Sequence, residues 1–490
     1  LATRRAAYSA RSDDIRGIVL SPTRELAEQI AVEARRLTKH TGLVVQSAVG
    51  GTHKASMLRQ TKRQGCHLLV ATPGRLNDLL QDPTSGIAAP NLASLVLDEA
   101  DRMLDVGFED ELTQITRNLP PVEEKVRQTL LVSATIPDNV IRLARTMVRA
   151  NDFEFVQTIS ENESLTHDRV PQNMVRVGGW NDIFPTLFEL IDREQQNASS
   201  DHPFKAIVYF NTTALVQLSN ELGFHRRRNG GMRTNTYSIH SGLTQGARTK
   251  AADSFRRSKN SVLFSSDVTA RGMDFPDVTH VIQIDTPRDR ESYIHRLGRT
   301  ARQGKDGEGW IILPPGSANS ARSMLRGLPI EPNETLTCAT ADEATGLHDE
   351  LREIFGVIDR DILVRSFTSI FGGKLDDRYG LVRDMNKWAT EGWGWSEPPS
   401  FGEDWVRKMA LVGTDINIRA ARGPRFGNSD SRDARGSRGS FNSSDPFDNM
   451  SSQIHRDSFG ADARKSGSSR GFRGSRGRGS SRSSGRDSRW

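Results

Sequence analysis

From Ile15 onward the chain alternates short apolar runs with stretches of helical period, and it does so in two series. Ile15 to Leu20, Leu43 to Val49, His67 to Ala71, Ser94 to Asp98 and Thr129 to Val132 are rich in Val, Ile and Leu and read as strands. Between the first two, Leu26, Ile30, Ala34 and Leu37 recur at helical spacing, and a strand–helix–strand order implies a parallel sheet. A second series follows: Lys205 to Phe210, Thr236 to His240, Val262 to Ser265, His280 to Asp285 and Trp310 to Leu313. Helical stretches such as Thr213 to Leu222 and Gln245 to Arg257 separate these strands. The predicted fold class is α/β, two similar parallel-sheet domains in tandem. The polar stretch around Glu161 to Arg169 would join them as a hinge and leave a cleft between.

Past Pro314 the strand signals fade. Leu351, Ile354, Ile358, Ile362 and Phe367 form a stripe near helical spacing, and Trp388, Trp393, Trp395 and Trp405 supply four of the chain's seven tryptophans. These tryptophans suit the core of a helical extension better than an exposed stacking or partner surface. Beyond Arg422 the composition collapses to Ser, Gly, Arg and Asp, too poor in apolar area to offset its ordering entropy, so disorder is expected there. Residues 420–490 carry fourteen Arg and one Lys against seven Asp, so +8 of charge sits there while the whole chain carries only +6. The body is therefore near neutrality and must bind any polyanion through local patches. Cys66 and Cys338 are far apart in sequence, which excludes a disulfide framework and zinc-type spacing. No run of 18 apolar residues occurs, so no membrane-spanning helix is predicted.

Chemistry concentrates at strand ends. Asp98-Glu99-Ala100-Asp101 stands directly behind Leu95-Val96-Leu97, where a buried parallel strand delivers carboxylates to a ligand crevice. His295-Arg296-Leu297-Gly298-Arg299-Thr300-Ala301-Arg302 supplies three arginines and a histidine, the cationic counterpart that a phosphate site needs. Alone, the first is more often a solvated strand end and the second an exposed helix face. Around them stand Pro22-Thr23-Arg24-Glu25-Leu26-Ala27, Gly50-Gly51, Thr72-Pro73-Gly74-Arg75, Ser133-Ala134-Thr135 and Ala270-Arg271-Gly272-Met273-Asp274. The Pro22 to Ala27 segment begins where a strand gives way to a helix, so backbone N–H groups and Arg24 can meet phosphate oxygens.

The ordered set resembles the DEAD-box family of ATP-dependent RNA helicases over roughly residues 15 to 315. The resemblance implies two RecA-like domains, at 1–160 and 176–335, with a linker at 161–175, a helical extension at 336–420 and a basic tail at 421–490. It implies ATP and Mg²⁺ as cofactors, with Asp98 holding the metal through water and Glu99 acting as base on the attacking water. Asp101 would link to Ser133, Thr135 and, across the cleft, His295. Gly272 and Asp274 would meet the nucleotide, Asp274 at the ribose, and Arg299 and Arg302 would reach the phosphates as arginine fingers. Pro22, Thr23, Arg24, Gly50, Gly51, Thr72, Pro73, Gly74 and Arg75 would grip an RNA backbone with no base preference. From the second domain Gln245, Arg248 and Ser265 would join them, since His240-Ser241-Gly242 followed by Gln245, Arg248 and Phe255 matches the family's RNA-contacting segment.

Two departures from the family are visible. The family often has Gly where Ala301 stands, and a methyl there reads as a small change. No G-x-x-x-x-G-K-[ST] loop occurs: Gly304-Lys305 is followed by Asp306 and Gly373-Lys374 by Leu375. In the family that loop and the adenine-reading glutamine segment precede the Pro22 motif, and the sequence starts at Leu1 without a methionine. A sequence truncated at its N-terminus is the expectation, and residues 1–490 alone are expected to be inactive in hydrolysis. The leading functional reading is an ATP-dependent RNA helicase or RNA chaperone, expected to be monomeric. Its alternative is an ATPase-deficient RNA-binding module, and a DNA helicase is a weaker third. Ala270 to Pro276, the extension and the tail resemble the fungal mitochondrial DEAD-box splicing chaperones, which implies the mitochondrial matrix, with nucleus or nucleolus as the alternative.

Overall fold

The structure is a computed structural model that describes residues 10–419, apart from 52, 123, 150–151, 159–169, 200–202, 271–272, 302–304, 341–343 and 374–376. Gly272, Arg302, most of the expected linker and the tail from 421 lie outside the described residues. The first series builds β1 (Gly17–Leu20), β2 (Val45–Ala48), β3 (Leu68–Ala71), β4 (Ser94–Asp98) and β5 (Gln128–Val132). They form a five-stranded sheet in the order β2-β3-β1-β4-β5, parallel throughout. Its helices are α1 (Arg24–Thr38), α2 (Lys54–Gln64), α3 (Pro73–Gln81), α4 (Ala100–Asp105), α5 (Glu109–Asn118) and α6 (Asp138–Met147).

Strand alternation sorts this core onto two faces. Leu69 and Ala71 point with Leu95, Leu97, Met103 and Ile115 to one side, while Val70 points with Val45, Ala27 and Ala31 to the other. β5 differs: it pairs only with β4 and leaves Leu130 and Val132 44% and 53% exposed, so the apolar face read from its sequence is half uncovered.

The second sheet has seven parallel strands. They are β6 (Gln172–Arg176), β7 (Lys205–Tyr209), β8 (Asn235–Ile239), β9 (Ser261–Ser265), β10 (His280–Ile284), β11 (Glu308–Leu313) and β12 (Ile330–Pro332), in the order β12-β6-β11-β10-β7-β9-β8. Two of these escaped the sequence reading. β6 overlaps the end of the stretch assigned to the linker, because Gln172-Asn173-Met174-Val175-Arg176 has little apolar content; its neighbours β11 and β12 hold it in place. β12 is three residues long, too short to show a period. Helices α7 (Trp180–Asn197), α8 (Thr213–Arg228), α9 (Gln245–Arg257), α10 (Arg290–Leu297) and α11 (Ala318–Met324) accompany this sheet.

The extension is helical: α12 (Gly346–Phe355), α13 (Arg360–Ile370), α14 (Arg378–Lys387) and α15 (Glu403–Lys408). It seats itself on α7 through rings, with Phe184 and Trp388 centroids 5.9 Å apart, and packs its own Trp388 and Trp393 with centroids 4.9 Å apart. Trp388 and Trp393 are core; Trp395 and Trp405 stay half-buried. The Arg226 guanidinium of α8 is 2% exposed and donates to Glu350 of α12 and Asp192 of α7, each at 3.0 Å. Such a cation tolerates burial only while both carboxylates face it.

Candidate nucleotide and RNA site

The motifs that follow β1 to β5 sit at the C-terminal ends of these parallel strands, where crossover topology opens a crevice. After β1, Thr23 caps α1 by accepting Leu26 N–H at 3.3 Å. Arg24 then lies over the loop after β2. A Cβ on Gly50 would come 3.0 Å from Arg24 Nη2, and one on Gly51, at φ +73°, would run into Nη1. The glycine pair is therefore a seat for this guanidinium. After β3, Pro73 opens α3, and no described atom lies within 4 Å of a Cβ built on Gly74, which leaves backbone accessible there. Burial pulls the pKa of Arg75 below its ordinary value, Asp78 opposes this, and the nearby Arg24 charge adds to it. Two arginines that feel one another make this edge electropositive.

After β4 the chain turns sharply. Glu99 adopts φ 52°, ψ 54°, a left-handed conformation that a non-glycine residue holds only at a cost, and its N–H donates to Asp98 Oδ1 at 3.1 Å. Burial, with a smaller contribution from Asp101, pushes the Asp98 carboxyl above the usual carboxylate range. A desolvated oxygen donor beside a second carboxylate fits a hard divalent cation such as Mg²⁺. Asp101 is tied to the end of β5: its N–H donates to Ser133 Oγ at 3.2 Å, and Thr135 Oγ1 donates to its carboxylate at 3.1 Å. Ser133 Oγ in turn donates to Thr135 O at 2.7 Å, so three residues lock one turn.

The second sheet supplies the facing edge. Arg296 is fully buried, donates to Asp267 Oδ1 at 2.7 Å and Asn211 Oδ1 at 3.0 Å, and lies over the Tyr209 ring. It positions Asp267 at the cleft rather than reaching into it, a role the sequence reading missed because arginine spacing alone does not say which one is buried. Arg299 is folded onto its own domain, donating to Met273 O at 2.7 Å and His295 O at 3.3 Å. Ser265 requires a correction. It is fully buried, donates to Ile239 O at 2.9 Å and accepts from Thr269 Oγ1 at 2.7 Å, so it braces the strand end while Ser266 and Asp267 face the cleft. His240 is buried as well, and that burial, with the charge of Arg248, holds its imidazole neutral to lower pH than usual. Gln245 opens α9, whose N-terminus Thr244 caps.

Two contacts join the edges. Arg248 Nη1 donates to Glu25 Oε1 at 3.0 Å with side chains only 13% and 6% exposed, and Asp274 N–H donates to Gln29 Oε1 at 3.1 Å. Between them opens a cleft of about 440 Å³ whose lining includes Arg24, Arg102, Asn211, Ser241, Arg248 and Asp267.

The DEAD/DEAH box helicase family model matches residues 1–143, and that of the helicase conserved C-terminal domain matches residues 184–304. The mitochondrial ATP-dependent RNA helicase cyt-19 of Neurospora crassa is 49% identical over 470 residues, covering 93% of this chain and 75% of its own length. The chain belongs to the DEAD/DEAH-box helicase family. The mitochondrial ATP-dependent RNA helicase mss116 of Aspergillus fumigatus is 45% identical to this DEAD-box protein over 423 residues, 82% of this chain and 64% of that relative. Among solved structures, Mss116p bound to single-stranded RNA and AMP-PNP shares the fold, with a TM-score of 0.72 at 24% identity over 83% of this chain and 82% of that one. S. cerevisiae Dbp5 bound to RNA and ADP BeF3 matches at TM-score 0.54 and 26% identity, over 66% of this chain and 78% of the other. The tandem parallel sheets of the DEAD-box protein are thus those of a known RNA-helicase architecture.

Proposed function

We propose that this chain is the RNA-gripping and hydrolytic body of an ATP-dependent RNA helicase that locally separates structured RNA in the mitochondrial matrix, acting as a splicing chaperone. The observation that carries the reading is the Arg248–Glu25 pair, which brings Arg24 and Arg102 of one edge and Asp267 and Asn211 of the other onto one cleft. RNA lying there would meet Thr23, Arg24, the Gly50-Gly51 loop, the α3 N-terminus and Arg248, groups suited to sugar and phosphate rather than base edges. ATP would sit across the same closure. Glu99 orients and deprotonates the attacking water, Asp274 meets the ribose, and Arg299 and Arg302 meet the phosphates, so hydrolysis depends on both halves coming together. Mg²⁺, held through water by Asp98, would neutralise charge on the phosphate oxygens.

The test adds the family's phosphate-binding segment ahead of Leu1 and measures RNA-stimulated ATP hydrolysis and strand separation. Glu99→Gln should abolish turnover and keep ATP-dependent RNA retention, because the amide preserves shape and cannot accept the water's proton. Unchanged turnover would remove Glu99 from the mechanism. RNA binding without any turnover in the extended chain would favour the ATPase-deficient RNA-binding module instead.

A further inference from the structure

At the end of the second sheet opposite the cleft, α8 finishes as His225-Arg226-Arg227-Arg228 and returns to β8 through a tight turn. Asn229 N donates to His225 O and Gly231 N to Arg226 O, both at 2.9 Å, with Gly230 at φ +84° between them. Arg226 turns inward to its two carboxylates, whereas Arg227, Arg228 and Arg233 are exposed. The end of α9 arrives at the same corner, because Asn235 N–H donates to Asn260 O at 3.4 Å and β8 runs beside β9 from Asn235↔Ser261. This brings exposed Arg257 and Lys259 to the corner.

None of these five cations forms an ion pair with a described residue. The carboxylates nearby are Glu221, half-buried on α8, Asp192 and Glu350, which hold Arg226, Asp253, which holds Arg256, and Asp277, which holds Lys305. Basic residues at helix C-termini ordinarily answer the helix dipole, yet two such termini amount to about one negative charge. Five unpaired cations exceed what that explains. Phe224, 55% exposed and one turn before Arg227 and Arg228, adds an aromatic face to the patch. Five-residue strands separate this corner from the cleft edge by roughly 17 Å, so one nucleotide strand in the cleft does not cover it.

We infer that Arg227, Arg228, Arg233, Arg257 and Lys259, with Phe224, form a second RNA-docking surface that holds the phosphate backbone of a structured segment while the cleft works on another. The inference rests on the RNA reading of the cleft. RNA is the favoured occupant because arginine forks and an exposed ring suit phosphates and unstacked bases together, and cleft-bound RNA brings further phosphates to high local concentration. A loose tether of this kind carries no sequence preference.

The test uses the full chain of residues 1–490 and its Arg227→Ala/Arg228→Ala/Arg233→Ala variant, titrated without nucleotide at several salt concentrations. One probe is a short single-stranded oligoribonucleotide that fills only the cleft; the other is a long hairpin with the same strand as overhang. The variant should bind the hairpin about tenfold more weakly at low salt and lower the log-affinity against log-salt slope by about 2–3, at roughly 0.9 per lost phosphate contact. The short strand should bind unchanged, and the corresponding triple lysine variant should keep most of the slope. Unchanged hairpin affinity and slope would overturn the inference and leave the patch to an acidic protein; equal loss on both probes would overturn it too, by making the patch part of the cleft. If the parent chain bound neither probe, the RNA reading of the cleft would fail first and take this inference with it.

Discussion

The Arg248 guanidinium and the Glu25 carboxylate meet at 3.0 Å although they stand on helices of different domains, α9 and α1, and are 223 residues apart. Arg248 also donates to Ser241 O at 2.9 Å, so its orientation is fixed from its own domain before it meets Glu25. A nearly buried pair loses more when one partner is removed than its formation contributes, because the survivor is left desolvated. Glu25→Gln and Arg248→Met should each separate the two domains, read as a longer distance between fluorophores on α2 and α11, and should weaken RNA binding. The double variant should behave like either single one, with a coupling of roughly 1–3 kcal/mol in the cycle. Additive effects would show that the pair does not hold the cleft together.

Ala301 sits at φ 53°, the left-handed region where a Cβ crowds the following carbonyl. The methyl is therefore not the small change that the sequence suggested, since the position requires glycine-like backbone whatever its side chain. Ala301→Gly should stabilise the second domain by roughly 1 kcal/mol, measured by denaturant unfolding. A destabilised variant would mean that the methyl, 8% exposed beside Leu297 and Tyr293, contributes more by packing than its backbone costs.

Arg296 makes the opposite case, a residue whose value lies in its burial. Arg296→Ala would leave Asp267 and Asn211 without their shared donor and should cost roughly 2–4 kcal/mol of stability. Arg296→Lys keeps the charge but cannot bridge both acceptors as a planar fork, so it should lie between the two. Equal stability of the lysine variant and the parent would show that Asn211 takes no part.

The sequence carried the parts of this fold that are periodic or chemically loaded. Strands such as β4 and β9, dense in branched apolar residues, and the motifs at their ends were legible because buried parallel strands admit little else. β6 and β12 were not, because their residues are polar or few and they form only through neighbours distant in sequence. The same limit hid the site's inner layer. Nothing in His295 to Arg302 distinguishes Arg296, which turns under Asp267, from Arg299, which turns to Met273 O. Ser265 and Ser266 likewise differ only in which side of the strand end they occupy. Side-chain direction at a turn is a tertiary fact.

Asp384 of α14 joins the extension to the second domain through the α7 N-terminus, accepting the Trp180 N–H at 2.9 Å and 3.2 Å through its two oxygens. Burial and the neighbouring Asp182 push its carboxyl from 3.8 up to about 6, against the Trp180 hydrogen bond and Lys387. Asp182 itself is bonded to His348 Nε2 at 3.1 Å, which ties α12 to the same corner. Because the folded pKa is raised, the folded state binds the proton more tightly than the unfolded chain. The resulting stabilisation is complete below the ordinary carboxylate pKa and is lost as pH rises through about 6. One pKa unit corresponds to about 1.4 kcal/mol, and allowing for partial solvent access the swing should be roughly 1–2 kcal/mol between neutral and mildly acidic pH. Asp384→Asn, which keeps an oxygen acceptor for Trp180 and carries no charge, should remove this swing and be at least as stable as the parent at neutral pH. Denaturant unfolding of both chains across the pH range decides it: curves that run parallel would show that Asp384 is ionised in the fold at no cost.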